Sequence, residues 1–181
     1  MTELCELAEK YGTDKCPQIN HSYTPFYFEM FQPIRKKVKK VMELGIGRTK
    51  PSRNVVGKAS LRMWQDFFPN AQIYGVDCNK RLLFGEERIK TFLGDGTKKE
   101  DWERILKKTG TDIDIFIDDG SHLPQDQEKT AEILRPILKG IYIIEDIRSP
   151  ESLNLEGKYR IIKFIDKERY RRDDNNLIVF E

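Results

Sequence analysis

Five short apolar runs, each followed by an amphipathic stretch, constrain this chain more than any other feature. They fall at residues 41–44, 73–76, 91–93, 113–117 and 141–144. Between them, near 59–67, 80–87, 98–108 and 125–138, apolar residues recur at helical spacing. Strands alternating with helices imply a parallel sheet covered by helices on both faces. Two later runs, at 160–165 and 177–180, flank a charged stretch and read as an antiparallel pair. The predicted architecture is α/β: a doubly wound, mostly parallel, seven-stranded sheet with a terminal antiparallel hairpin. Ahead of it, residues 3–11 read as a helix with Leu4, Leu7 and Ala8 on one face. Residues 12–24 read as loop. Residues 25–37 read as a second helix, with Phe26, Met30, Phe31 and Ile34 at helical spacing.

At 181 residues the chain is one domain's worth, divided as 1–37 and a core of 38–181, and can bury a core without staples. The formal charge is +2, which argues against a dedicated nucleic-acid binder. The run Arg35-Lys36-Lys37-Val38-Lys39-Lys40 reads as a solvated helix end leading into the first strand. Three scattered cysteines, Cys5, Cys16 and Cys78, and two distant histidines imply neither a disulfide framework nor a structural zinc site. No signal-like start and no apolar run near 18 residues is present, so a cytoplasmic location is the default expectation.

In open α/β sheets, ligands bind beyond the carboxyl ends of the strands. After the first run stands Glu43-Leu44-Gly45-Ile46-Gly47, whose glycines let a backbone approach a ligand closely. The third glycine of a nicotinamide fingerprint is absent, since Arg48-Thr49-Lys50 follow. After the second run stands Asp77, placed to accept both ribose hydroxyls of an adenosine or to cap the next segment. After the third come Gly94-Asp95-Gly96, suited to an adenine edge or to a simple turn. After the fourth and fifth come Asp118-Asp119-Gly120-Ser121-His122 and Glu145-Asp146. Four carboxylates and an imidazole at one sheet edge suit a hard divalent ion, magnesium above all. The alternative is that Asp118 and Asp119 cap the next helix while Glu145 and Asp146 are solvated.

Taken together, these segments resemble the class I methyltransferases related to the macrolide sugar O-methyltransferases. The resemblance extends to Tyr11-Gly12-Thr13-Asp14-Lys15, His21-Ser22-Tyr23-Thr24-Pro25, Ser60-Leu61-Arg62-Met63-Trp64 and the tail from Arg172 to Val179. It implies S-adenosylmethionine as cofactor, S-adenosylhomocysteine as product, and Mg2+. It places Glu43, Gly45, Ser60, Asp77, Asp95, Asp118 and Tyr11 at the cofactor, with Asp118 at its methionine end. It makes Asp119, Glu145 and Asp146 the magnesium ligands and His122, with Asp119, the catalytic pair. Residues 11–23 would form a lid.

The resemblance implies a large extra N-terminal domain in the macrolide enzymes, and none is expected here. The expected acceptor is therefore a hydroxyl of a sugar, a nucleotide-linked sugar or another glycan-containing small molecule. The basic loop with Arg48, Lys50, Arg53 and Lys58 would meet a substrate phosphate or solvent. The partners expected are that substrate and, at most, a second copy of the chain; neither nucleic acid nor a membrane is expected. Competing readings are a methyltransferase acting on nucleic acid or protein, supported by the basic segments 35–40 and 167–172, a non-catalytic cofactor-binding relative, and a nicotinamide dehydrogenase.

Overall fold

The computed structural model describes residues 1–47, 58–164 and 174–180. Helices α1 (Glu3–Tyr11) and α2 (Tyr23–Phe31) precede the sheet. Then follow β1 (Lys40–Leu44), α3 (Ala59–Phe67), β2 (Gln72–Asp77), β3 (Gly85–Glu86), β4 (Ile89–Leu93) and α4 (Lys99–Thr109). The chain continues with β5 (Ile115–Asp118), α5 (Pro124–Leu134), β6 (Ile141–Ile144), β7 (Arg160–Lys163) and β8 (Asn176–Phe180). The strand order is β3-β4-β2-β1-β5-β6-β8-β7. The five central strands from β4 to β6 are parallel, and β8 is antiparallel to both β6 and β7.

The expected doubly wound sheet and terminal hairpin are present, with one strand more than the seven predicted. The extra one, β3, stands where the sequence suggested a helix over 80–87. That stretch packs Leu82, Leu83 and Phe84 side by side rather than at helical spacing. It forms a three-residue 3₁₀ turn, Lys80–Leu82, and then pairs antiparallel with β4. Thr91 locks the turn: its hydroxyl accepts from the Phe84 amide and donates to the Phe84 carbonyl. Two predicted helices also end early. Pro33 follows α2 and Pro136 follows α5, and a proline has no amide to donate to the carbonyl four residues back, so the helical ladder stops there.

Period-two alternation in the strands builds two cores, one on each face. Val41 of β1, Ile115 and Ile117 of β5, and Ile143 of β6 face α1, α2 and α3, where Leu4, Tyr27, Phe31 and Trp64 pack on them. Met42, Leu44, Phe116, Tyr142 and Ile144 face the other way, against Trp102 of α4 and Leu134 of α5. The same alternation decides where the charged residues at the strand ends go. Glu43 must share the face of Val41, and Glu145 that of Ile143. Asp118 must share the face of Phe116.

The basic run lies at the opposite end of β1 from the glycine turn, roughly 13 Å away at about 3.3 Å per residue. Much of its charge is already engaged. Arg35 pairs with Glu3, and Lys40 with Asp112. The basic loop positions Arg48, Lys50 and Arg53, and the basic segment 167–172, lie outside the described residues. Among the described residues no helix is long and apolar enough to cross a membrane.

Candidate active site

A cleft of about 490 Å³ opens at the carboxyl ends of the parallel strands. Gly45 and Gly47 after β1, Asp77 and Cys78 at the end of β2, and Gly94, Asp95 and Gly96 after β4 form one side. The segment from Asp118 to His122, Asp146 after β6, and Asp126, Gln127 and Thr130 of α5 form the other, with Asp14 from the N-terminal segment.

Gly45 is at φ +83, in the left-handed region that favours glycine. The turn it opens is pinned by Asp77, whose Oδ2 accepts from the Ile46 amide at 3.1 Å and whose Oδ1 accepts from the Asn79 amide at 2.7 Å. Each oxygen retains a lone pair for a further donor. Asp95 is held by Thr97, whose amide and hydroxyl both donate to its Oδ1. Those bonds keep its carboxyl below the ordinary range.

Asp118 is the unsatisfied member. Its Oδ1 accepts from the Gly120 amide at 3.2 Å, while Oδ2 is buried and accepts no hydrogen bond among the described residues. Burial pushes its carboxyl up to about 7. A buried carboxylate oxygen on a cleft wall without a donor is what a cationic ligand group requires.

At the cleft mouth, Asp119, His122 and Asp146 each offer one ligand atom within 4.8 Å of the others. His122 Nε2 lies 3.9 Å from Asp119 Oδ1 and 3.8 Å from Asp146 Oδ2. Both His122 (φ 58) and Asp146 (φ 56) have left-handed backbones, two of the three such non-glycine residues among those described. Each costs about 1 kcal/mol, and such strain concentrates at functional sites.

Two expected magnesium ligands and the expected base thus meet, while Glu145 stands behind them. As the alternation requires, it turns to the α2 face, where Lys15 Nζ lies 2.5 Å from its Oε2 and Tyr27 donates to its Oε1 at 2.7 Å. Lys15 also contacts Asp119 Oδ2 at 2.5 Å and lies 3.8 Å from Glu43. Burial alone would lower this lysine, but Asp119, Glu145 and Glu43 outweigh it and hold the ammonium well above its ordinary range. Nothing in the local pattern marks this loop lysine as buried.

Three residues expected at the cofactor are placed elsewhere. Glu43 is fully buried on the α3 face and accepts from Ser60 Oγ at 2.6 Å and Trp64 Nε1 at 2.5 Å. Ser60 is committed to that bond. Tyr11 donates to Asp66 Oδ2 at 2.6 Å. None of the three lines the cleft. Glu43 and Ser60 seat α3 against β1, as the alternation along β1 dictates, and Tyr11 ties α1 to α3. Asp14 and Lys15 stand in a segment that the resemblance marks but to which it gives no individual role, and no local pattern marks Tyr27 or the α5 residues of the wall.

No protein-family model matches the chain. It is 38% identical over 147 residues to the mycinamicin VI 2''-O-methyltransferase of Micromonospora griseorubida, which covers 80% of this chain and 36% of that protein. It is 35% identical over 147 residues to the demethylmacrocin O-methyltransferase of Streptomyces fradiae, with 80% and 36% covered. Among solved structures, the methyltransferase MycE of the mycinamycin biosynthetic pathway, in complex with Mg, SAH and mycinamycin VI, superposes with a TM-score of 0.71 at 34% identity, over 86% of this chain and 42% of that one. The chain spans little more than a third of the length of the curated relatives it matches. It has the class I methyltransferase fold and, over four fifths of its length, is similar in sequence to sugar O-methyltransferases of that class.

Proposed function

We propose that this chain is an S-adenosylmethionine-dependent, magnesium-dependent O-methyltransferase acting on a hydroxyl of a sugar-containing small molecule. One observation carries the reading: Asp119, His122 and Asp146 converge at the mouth of the cleft whose wall holds the unpaired oxygen of Asp118. The relatives support it, since their names describe O-methylation of mycinamicin VI, of demethylmacrocin and of a rhamnosyl tetracenomycin, and MycE was solved with Mg and SAH.

The donor set fits the two absent groups. Asp118 would hold the amino group of the cofactor's methionine end, Asp77 its ribose hydroxyls and Asp95 its adenine side, while Gly45 admits it close to the backbone. Asp119 and Asp146 offer the hard oxygen donors a magnesium ion takes, with Glu145 behind them, engaged by Lys15 and Tyr27. When bound, the ion would supply Lewis-acid polarisation of an acceptor hydroxyl. His122 takes the hydroxyl proton at Nε2, the nitrogen that faces Asp119 and Asp146. The cleft walls hold acceptor and methyl donor in line, which supplies rate through proximity. The N-terminal segment, with Asp14 on the wall, closes one side as a lid.

Calorimetry with S-adenosylhomocysteine, with and without magnesium, tests the proposal. Micromolar binding is expected, and no binding in either condition sinks it. His122→Ala is expected to bind S-adenosylhomocysteine as the parent does and to lose about 10²–10⁴ in turnover. Full activity in that variant would remove His122 from the base role. Chelation of divalent ions is expected to abolish turnover on any accepted sugar.

A further inference from the structure

The two carboxylates at the cleft mouth divide their oxygens in the same way. Asp119 gives Oδ2 to Lys15 at 2.5 Å and turns Oδ1 toward His122. Asp146 accepts from the Tyr23 hydroxyl at Oδ1, at 2.7 Å, and turns Oδ2 toward His122. His21 Nε2 stands 3.5 Å from that same Oδ1. The inner partners are buried: Lys15 is 2% exposed and Tyr23 not at all. They also belong to one folded unit. The amides of Tyr23 and Thr24 both donate to the Lys15 carbonyl, which closes the loop onto the start of α2. The Asp146 amide donates back to the Tyr23 hydroxyl at 3.2 Å, so main chain and side chain of Asp146 are held by one phenol.

We propose that Lys15 and Tyr23 are positioning residues of the cation site, each holding the inner oxygen of one carboxylate so that the outer oxygens of Asp119 and Asp146 converge beside His122. A carboxylate with one oxygen tied to a rigid donor has little rotational freedom left, and its other oxygen is aimed before any ion arrives. Outer partners of this kind orient ligands and tune a site without touching the ion. The arrangement makes the segment 15–23 part of the site's construction, with its neighbour Asp14 on the cleft wall. It rests on the divalent-ion reading above and adds the residues that set the ligand geometry.

The test uses Mn2+ as the probe on the full chain, followed by titration and by its electron paramagnetic resonance spectrum. Tyr23→Phe removes one oxygen and keeps the ring stacked on His21 and packed against Tyr27 and Phe164. It is expected to weaken Mn2+ binding by about tenfold or more and to broaden the bound spectrum. S-adenosylhomocysteine affinity should stay within about twofold of the parent, since Tyr23 does not line the cleft. Lys15→Met is expected to alter the spectrum through the released Asp119; should it fail to fold, Tyr23→Phe decides alone. Mn2+ affinity and spectrum unchanged in the folded variants would overturn the inference and leave the cation reading standing. A parent that binds S-adenosylhomocysteine but no Mn2+ would overturn both. A Tyr23→Phe variant that loses Mn2+ and S-adenosylhomocysteine binding in step with its melting temperature would reduce Tyr23 to a general structural role and overturn the inference.

Discussion

Gly45→Ala is expected to destroy the cleft and to destabilise the chain by about 3–5 kcal/mol, two effects from one methyl group. A Cβ at this position would stand 1.9 Å from the Asp119 carbonyl oxygen and 2.6 Å from its carbon. Both are backbone atoms, and both flanks are tied down. The Gly45 amide donates to the Val76 carbonyl, and the Asp119 amide to the Leu44 carbonyl. The φ of +83 adds its own penalty for any L side chain. In a chain of this length, that loss lowers the melting temperature by about 6–20 °C. S-adenosylhomocysteine binding should vanish, because the β1 and β5 turns can no longer approach each other. Gly85→Ala is the control: its Cβ would meet only the Ile89 carbonyl oxygen, at 3.8 Å, and should cost less than about 1 kcal/mol. A Gly45→Ala protein as stable as that control would mean that the two turns are not packed together as described.

The sheet was legible because its signal is local. Strands and helices alternate along the chain, and prolines and glycines mark most of the ends. The exception, β3, depends on a hydroxyl at Thr91 meeting the backbone of Phe84 seven residues earlier, which no periodicity reports. The site was legible by a different route. Strand ends in such a sheet share one edge, so Asp77, Asp95, Asp118, Asp119, His122 and Asp146 belong together on sequence grounds alone. The shared edge does not assign faces. Counting two by two along β1 and β6 sends Glu43 and Glu145 inward, but that count needs the strand register and the identity of the buried face. Lys15 was hidden for a further reason. A lysine between Asp14 and Cys16 looks solvated, and only the tertiary structure shows it surrounded by Glu43, Asp119 and Glu145. Buried cations follow their counter-ions, which here come from three different strand ends.

Asp118→Asn should move stability and ligand affinity in opposite directions. The side chain keeps its size, and its oxygen can still accept from the Gly120 amide. What changes is the second oxygen, which in the parent is buried with no donor among the described residues. An ionised oxygen in that place is costly, and a neutral amide less so, so the ligand-free variant is expected to gain about 1–2 kcal/mol over the parent in thermal or urea unfolding at pH 8. The cofactor would lose its charge-assisted partner at the same time. A hydrogen bond between charged groups contributes about 1.5–3 kcal/mol, so S-adenosylhomocysteine should bind roughly tenfold to a hundredfold more weakly. A variant weakened in both measurements would mean that Asp118 supports the fold and owes its place to structure. A variant more stable and equally tight would place the methionine end of the cofactor elsewhere in the cleft. Only the crossed result, a firmer chain that has lost its ligand, fits an oxygen left unpaired in the fold because the ligand supplies its partner.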